Sequence, residues 1–134
     1  MYPTGLQSEY TIPDSVKIIG DAAFYDDAFC NRGGLTSVII PNSVVKIGKS
    51  AFHGCSKLTS ITIPESVVEI GNYAFSGCEG LTSINIPNSV SKINASVFFE
   101  CIRLTSIGVS STIVEFDDGY FYECPALSEK WGRY

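Results

Sequence analysis

The 134-residue sequence predicts a repeat solenoid, a right-handed stack of coils that is mostly β and turns and carries a short parallel β-strand ladder. Three observations predict this fold. Leucines recur every 23 residues, at Leu35, Leu58, Leu81, Leu104 and Leu127. The segments that begin at Leu35 and Leu58 share 14 identities over 23 positions. After the first four of these leucines, two apolar residues alternate with mostly polar ones, which is the period of a half-buried strand.

The period predicts a single domain spanning residues 1–134, divided into successive coils. Residues 1–34 form an irregular first coil with an insertion, and regular coils occupy 35–57, 58–80 and 81–103. A degenerate coil follows at 104–126, where Ser110 replaces the proline of the other coils. Residues 127–134 are either a cap over the end of the stack or the start of a truncated repeat.

Each coil is predicted to contain one strand. In the coil 58–80, Ile61 and Ile63 are expected in the core, whereas Ser60 and Thr62 face solvent. The strands end before Pro13, Pro41, Pro64 and Pro87, because proline has no N–H to donate to a continuing ladder. A second apolar set, repeated around Ala74 and Phe75, fills the core from the opposite wall.

Turn residues and charges also repeat. A turn within the second apolar set falls at Gly20, Gly48, Gly71, Asn94 and Asp117, residue types that tolerate the left-handed backbone expected there. Hydroxyls two residues after the prolines, at Ser15, Ser43, Ser66 and Ser89, are expected to satisfy turn amides. One column reads Lys46, Glu69, Lys92 and Glu115, so stacking would place opposite charges about 4.8 Å apart.

Composition excludes several functions. A net charge of -5, with nine basic residues scattered among fourteen acidic ones, argues against nucleic-acid binding, which needs clustered Lys and Arg. No apolar run approaches the roughly 18 residues needed to cross a bilayer, so no membrane insertion is expected.

The five cysteines do not predict a metal site. Cys55, Cys78, Cys101 and Cys124 occupy one repeat position, and Cys30 is their irregular relative. Such a column forms a line, whereas metal ligands converge on one point. The favoured interpretation is a buried stack of thiols, because parallel side-chain vectors oppose disulfides between stacked neighbours. No metal or cofactor is expected.

No catalytic constellation is recognisable. His53 is the sole histidine, and it occupies a turn position held in later coils by other residue types. A base without a nucleophile and an orienting partner carries no reaction. The chain is therefore not expected to be an enzyme.

The pattern LxxIxIPxSVxxIGxxAFxxC, complete from Leu58 to Cys78, resembles the BspA-like leucine-rich repeat family. The resemblance implies a non-enzymatic leucine-rich repeat fold in a cell-surface or secreted protein that adheres to host proteins or other cells. A cytoplasmic location is the alternative. The coil 104–126 departs from the pattern at Ser110, Asp117 and Tyr120.

Two functions remain open. In the first, the outward residues of the strands contact a protein partner; they are Ser37, Ile39, Ser60, Thr62, Ser83, Asn85, Ser106 and Gly108. In the second, the coils are a structural spacer or intracellular scaffold whose repeat face binds nothing. End-to-end self-association is a further expectation.

Overall fold

A computed structural model describes residues 9–25, 35–90, 92–93, 95–108 and 115–116. The sequence predictions for Asn94, for Asp117 and for residues 127–134 lie outside these residues. The strands are β1 (Glu9–Thr11), β2 (Ile18–Ile19), β3 (Ser37–Ile39), β4 (Lys46–Ile47), β5 (Ser60–Thr62), β6 (Glu69–Ile70), β7 (Ser83–Asn85), β8 (Lys92–Ile93), β9 (Ser106–Gly108) and β10 (Glu115–Phe116). One 3-10 helix spans Ala95–Phe98.

The strands form parallel ladders along two walls of a coil stack, which confirms the predicted repeat solenoid. On the first wall the order is β1-β3-β5, followed by β7-β9. Strands β3, β5, β7 and β9 bury their middle residue, as Ile61 shows between Ser60 and Thr62, and Tyr10 in the middle of β1 is half-buried. The second wall carries β2-β4-β6 and then β10-β8. The sequence predicted the apolar residues of this second wall but not its strand pairing.

Both ladders are interrupted at the same level of the stack. Among the described strands, no pairing joins β5 to β7 or β6 to β8. Other bonds connect the coils 58–80 and 81–103. The Phe75 amide donates to the Val97 carbonyl at 3.0 Å, and the Gly77 amide donates to the Phe99 carbonyl at 2.8 Å. The third side of the coil, formed by the corner turns, thus joins the two halves of the stack.

A column of phenylalanines lies at the centre of the core. Ring centroids are 4.9 Å apart between Phe24 and Phe52, 5.5 Å between Phe52 and Phe75, and 6.3 Å between Phe75 and Phe98. Successive planes differ by only 8°, 5° and 11°. Phe52, Phe75 and Phe98 are fully buried. Repetition of one large side chain at one position therefore produces a continuous core rather than separate clusters.

The glycine column has a different role from the one predicted. Gly20, Gly48 and Gly71 do not have positive φ. Instead, a Cβ on Gly71 would lie 2.6 Å from the Lys49 nitrogen, and one on Gly48 would lie 2.7 Å from the Asp21 nitrogen. The prediction of left-handed backbone was wrong here, since these glycines serve the close approach of successive coils.

Left-handed backbone occurs at two neighbouring columns. Ala22, Ser50 and Tyr73 have φ values of 58°, 56° and 63°, two residues after the glycines. Gly54, Gly77 and Glu100 form the other column, at 80°, 74° and 64°. In the coil 81–103, the 3-10 helix occupies the first of these corners. The non-glycine residues at these corners have a strained backbone. Contacts between neighbouring coils must offset the free-energy cost of this strain.

The serine column also differs from its prediction. The hydroxyls of Ser43, Ser66 and Ser89 donate to the carbonyls of Val16, Val44 and Val67, at 2.6, 2.6 and 2.5 Å. Each acceptor belongs to the preceding coil, so these hydroxyls link coils rather than satisfy their own turn amides. The turn amide is bonded within its coil, as Val44 shows by donating to the Pro41 carbonyl at 3.1 Å.

The glycine contacts lead to a stability prediction. Gly71→Ala places a methyl group against the backbone of the preceding coil, and we expect a loss of about 1–3 kcal/mol in the free energy of unfolding. Gly20→Ala is the matched control, because a Cβ there meets nothing within 4 Å. It should change stability by less than about 0.5 kcal/mol. Urea unfolding of dilute samples measures both, and equal effects would contradict the proposed contact.

Candidate functional site

The predicted binding residues lie together on the outer face of the first wall. Ser37 is paired with Ser60, and Ile39 with Thr62, in the β3–β5 ladder. The β7–β9 ladder pairs Ser83 with Ser106 and Asn85 with Gly108. Most of these residues are exposed, whereas Ser37 and Ser106 are half-buried. The strand face, as we call these eight residues, thus consists of two parallel columns.

Sequence reasoning missed two members of this surface. Glu9 is paired with Ser37 and Thr11 with Ile39, so β1 extends both columns by one coil. The Ser37 hydroxyl donates to Glu9 Oε2 at 3.4 Å. The signal was present in the sequence, because the first coil has five extra residues and its columns are offset by 28 instead of 23.

The strand face is neutral and rich in hydroxyl groups. Among the described strands, the charged residue paired in register with it is Glu9. The Asn85 side chain lies over Gly108, where a Cβ would overlap its amide oxygen. Such a surface can exchange hydrogen bonds with a partner's backbone and polar side chains. It holds no acid–base pair that would activate a nucleophile.

A column beside the strand face uses its hydroxyls internally. The Thr59 amide donates to the Thr36 carbonyl at 2.9 Å, and Thr59 Oγ1 approaches the same oxygen at 3.3 Å. Thr105 makes the same two contacts with the Thr82 carbonyl, at 2.9 and 3.2 Å. These threonines therefore stabilise the stack.

The second wall carries an apolar surface that sequence reasoning also missed. Ile18, Val45 and Val68 are 57%, 43% and 59% exposed on neighbouring coils. The predicted charge pairing lies beside them, with Lys46 Nζ 3.6 Å from Glu69 Oε2. That ion pair confirms the stacking register, but it is exposed and contributes little stability.

The described residues include no recognisable set of catalytic or metal-binding side chains. His53 packs edge-on against Tyr25, with 4.8 Å between ring centroids. Within the described residues, no group of three or more His, Cys, Asp and Glu side chains could hold a metal ion. None of the described helices is long and apolar enough to cross a membrane.

The cysteine column is only partly the stack of thiols that was predicted. Cys78 and Cys101 are buried thiols, and they donate to the carbonyls of Phe52 and Phe75 at 3.3 and 3.1 Å. Cys55, in contrast, is disulfide-bonded. Cys78 remains a thiol, so this bond does not join the stacked neighbours Cys55 and Cys78.

Burial controls the chemistry of the Cys78 thiol. Desolvation raises its pKa from 9.0 to about 12, and the hydrogen bond with the Cys55 backbone lowers it by less. The thiolate, which is the reactive form, is therefore suppressed at neutral pH. Cys78 acts as a small core residue with a weak donor rather than as a nucleophile.

Comparison with known proteins agrees with this architecture. The family described as "BspA type Leucine rich repeat region" matches residues 25–130 in six copies. The chain belongs to this family of leucine-rich repeats, which are typically protein-interaction modules. No curated protein matches the sequence.

Solved structures show the same fold. A leucine-rich cell surface protein from Faecalibacterium prausnitzii A2-165 is 27% identical, with a TM-score of 0.60 over 82% of this chain and 38% of its own. The T. pallidum leucine-rich repeat protein is 27% identical, with a TM-score of 0.56 over 75% and 57%. A leucine-rich repeat protein from Bacteroides capillosus ATCC 29799 is 28% identical, with a TM-score of 0.67 over 79% of each chain. The chain thus spans less than two thirds of the first two.

The burial of Cys78 predicts a pH dependence. The folded chain keeps the thiol proton at pH values where the unfolded chain releases it, so this stabilisation is complete below pH 9.0. It is lost as the pH rises through the folded pKa of about 12. Between about pH 8 and about pH 10.5, urea unfolding should show a larger loss of stability for the natural chain than for Cys78→Ala. Equal losses would contradict the role of this thiol.

Proposed function

We propose that this chain is a non-catalytic protein–protein interaction module of a cell-surface or secreted adhesive protein, and that it binds host or cell-surface proteins through the strand face. The family supports a binding role in general terms. The exposure of the strand-face residues and their register from coil to coil support this surface as the binding site. End-to-end self-association belongs to the same proposal.

The observation that carries this proposal is that residues of the strand face are exposed to solvent and paired in register between neighbouring coils. Side chains at Thr62 and Asn85 are exposed, while the intervening positions Ile61 and Ile84 are buried in the core. The wall is therefore held rigidly by its buried side and leaves its outer side available. Rigid surfaces lose little conformational entropy on binding, which favours recognition by many weak, repeated contacts.

Two observations support a location outside the cell. The disulfide at Cys55 is typical of an oxidising environment, because cytosolic thiols are kept reduced. A solved structure 27% identical to this chain is that of a leucine-rich cell surface protein.

The exposed apolar stripe on the second wall favours a second candidate surface. Ile18, Val45 and Val68 offer apolar contact area that the strand face lacks, apart from Ile39 at 44% exposure. Apolar side chains surrounded by charged ones are a common composition for the centre of an interface. The stripe lies on a different wall, so the two surfaces can be tested independently.

Arginine substitutions distinguish the two surfaces. We expect Thr62→Arg and Asn85→Arg to weaken binding to host matrix proteins or to neighbouring cells by about tenfold or more, because each long cation obstructs the strand face. Val45→Arg and Val68→Arg are the matched controls on the second wall. Surface-plasmon or cell-adhesion assays measure the change, and circular dichroism verifies that each variant is folded.

If Val45→Arg and Val68→Arg weaken binding while Thr62→Arg and Asn85→Arg leave it unchanged, the apolar stripe is the binding surface and the strand-face proposal is overturned. Binding that survives all four substitutions would favour the structural spacer.

Location has its own test. Intact source cells are treated with a membrane-impermeant amine reagent, and we expect the natural full-length protein to be labelled because exposed lysines such as Lys17, Lys49 and Lys57 face solvent. Lysed cells give the maximal labelling. Protection in intact cells with labelling only after lysis would sink the surface proposal and favour an intracellular scaffold.

A further inference from the structure

The second wall exposes apolar and charged side chains in adjacent columns. Val45 and Val68 lie one above the other on neighbouring coils, and the Val68 amide donates to the Val45 carbonyl at 2.9 Å. Both valine side chains are exposed to solvent. The next column holds Lys46 and Glu69, which are paired in register between β4 and β6. The apolar stripe therefore runs beside charges of alternating sign.

The backbone beneath these side chains is a small parallel sheet. Strands β2, β4 and β6 form one ladder, and Ile47 and Ile70 on its inner side are buried in the core. The outer side chains of such a sheet all project away from the core. Apolar residues on an exposed sheet are stabilised when a second sheet covers them. This wall is therefore suited to face-to-face packing.

Symmetry restricts how two copies of this wall can face each other. In a twofold dimer the axis lies in the plane between the two walls, either along the coil stack or across it. An axis along the stack keeps equivalent coils at the same level, so like charges meet wherever the charged columns overlap. An axis across the stack, at the level between the coils 35–57 and 58–80, reverses the order of the coils. It places Lys46 of one copy opposite Glu69 of the second copy.

The charges favour this antiparallel arrangement. Within one copy, Lys46 Nζ already lies 3.6 Å from Glu69 Oε2. The second copy gives each of these groups one further partner of opposite sign, so four charges alternate around the axis. The same arrangement packs Val45 against Val68 of the second copy. Because apolar side chains exclude water, they strengthen the attraction between the charges beside them.

The residues that flank these columns are compatible with the same arrangement. Reversal of the coil order places Glu65 opposite Asn42, and Lys49 opposite Asn72, since each pair is separated by 23 positions. All four residues are exposed. Neither pairing brings like charges together. The wall is thus complementary in charge to its own copy over the two coils that carry the valines.

We propose that the second wall binds the second wall of another copy of this chain, with the two coil stacks antiparallel. This interface goes beyond the proposed function, because it uses neither the strand face nor the ends of the stack. Each dimer would present two strand faces, which adds avidity to weak contacts. The four side chains of each copy cover less than the roughly 800 Å² per partner of stable dimers, so we expect a dissociation constant of about 0.1–1 mM.

Charge reversals test this interface by sedimentation velocity, over about 10 μM to about 1 mM protein. The natural chain should shift from monomer to dimer across this range. Lys46→Glu and Glu69→Lys should each weaken association about tenfold or more, because each variant places like charges opposite each other. An equimolar mixture of the two variants should associate at least as strongly as the natural chain, since every charge then faces its opposite.

Lys57→Glu and Glu79→Lys are the matched controls, because they make the same charge changes at exposed positions away from this wall. Both should associate like the natural chain. A natural chain that stays monomeric throughout overturns the proposal, and so does a mixture that associates no more strongly than the separate variants. Equal association of the natural chain and of both single variants would assign self-association to another surface and also overturn it.

Cross-linking tests the direction of the two stacks. A zero-length carbodiimide reagent applied to the mixture should join position 46 of one variant to position 69 of the other. Bonds between equal positions would overturn the antiparallel arrangement. Thr62→Arg should associate like the natural chain, so failure of this interface is distinguishable from failure of the strand face. Weaker association of Thr62→Arg would show that the strand face takes part and would contradict the proposal.

Discussion

The fixed spacing between successive coils is the constraint on which the rest of this structure depends. Paired strands lie about 4.8 Å apart, so every repeated residue has its counterpart directly above and below. The phenylalanine rings are stacked at 4.9 to 6.3 Å because the backbone sets that distance. Glycine at positions 48 and 71 follows from the same spacing, since a side chain there would overlap the neighbouring backbone.

The spacing also determines how polar groups are used in the core. Thiols of Cys78 and Cys101 and hydroxyls of Ser66 and Ser89 all donate to carbonyls of the preceding coil. These four side chains thus occupy partly or fully buried positions without leaving an unpaired donor, which would cost about 1–3 kcal/mol. Each coil is stabilised mainly by its neighbours, as in other solenoids, and a coil with only one neighbour leaves part of its interface unused.

Because many polar side chains bond to neighbouring coils, fewer residues are available to bind a partner. The hydroxyls of Thr59 and Thr105, for example, contact carbonyls of the preceding coil, which the sequence alone does not show. Among the described residues, those that stay exposed include outward residues of the first wall and the apolar stripe of the second wall. A recognition site built on rigid walls requires no rearrangement of the core.

The sequence by itself determined the architecture, because a strict 23-residue period with alternating Ile61 and Ile63 admits only a stack of equivalent coils. It also identified the outward positions of the strand face and the register that joins Lys46 to Glu69. It could not determine why glycine occupies position 71, since turn geometry and close approach both favour glycine and only the neighbouring coil distinguishes them. The direction of the serine bonds, the disulfide of Cys55 and the place of Glu9 and Thr11 on the face were likewise decided by tertiary structure. Each depends on which atom of another coil lies within reach, and that distance is set by packing rather than by local sequence.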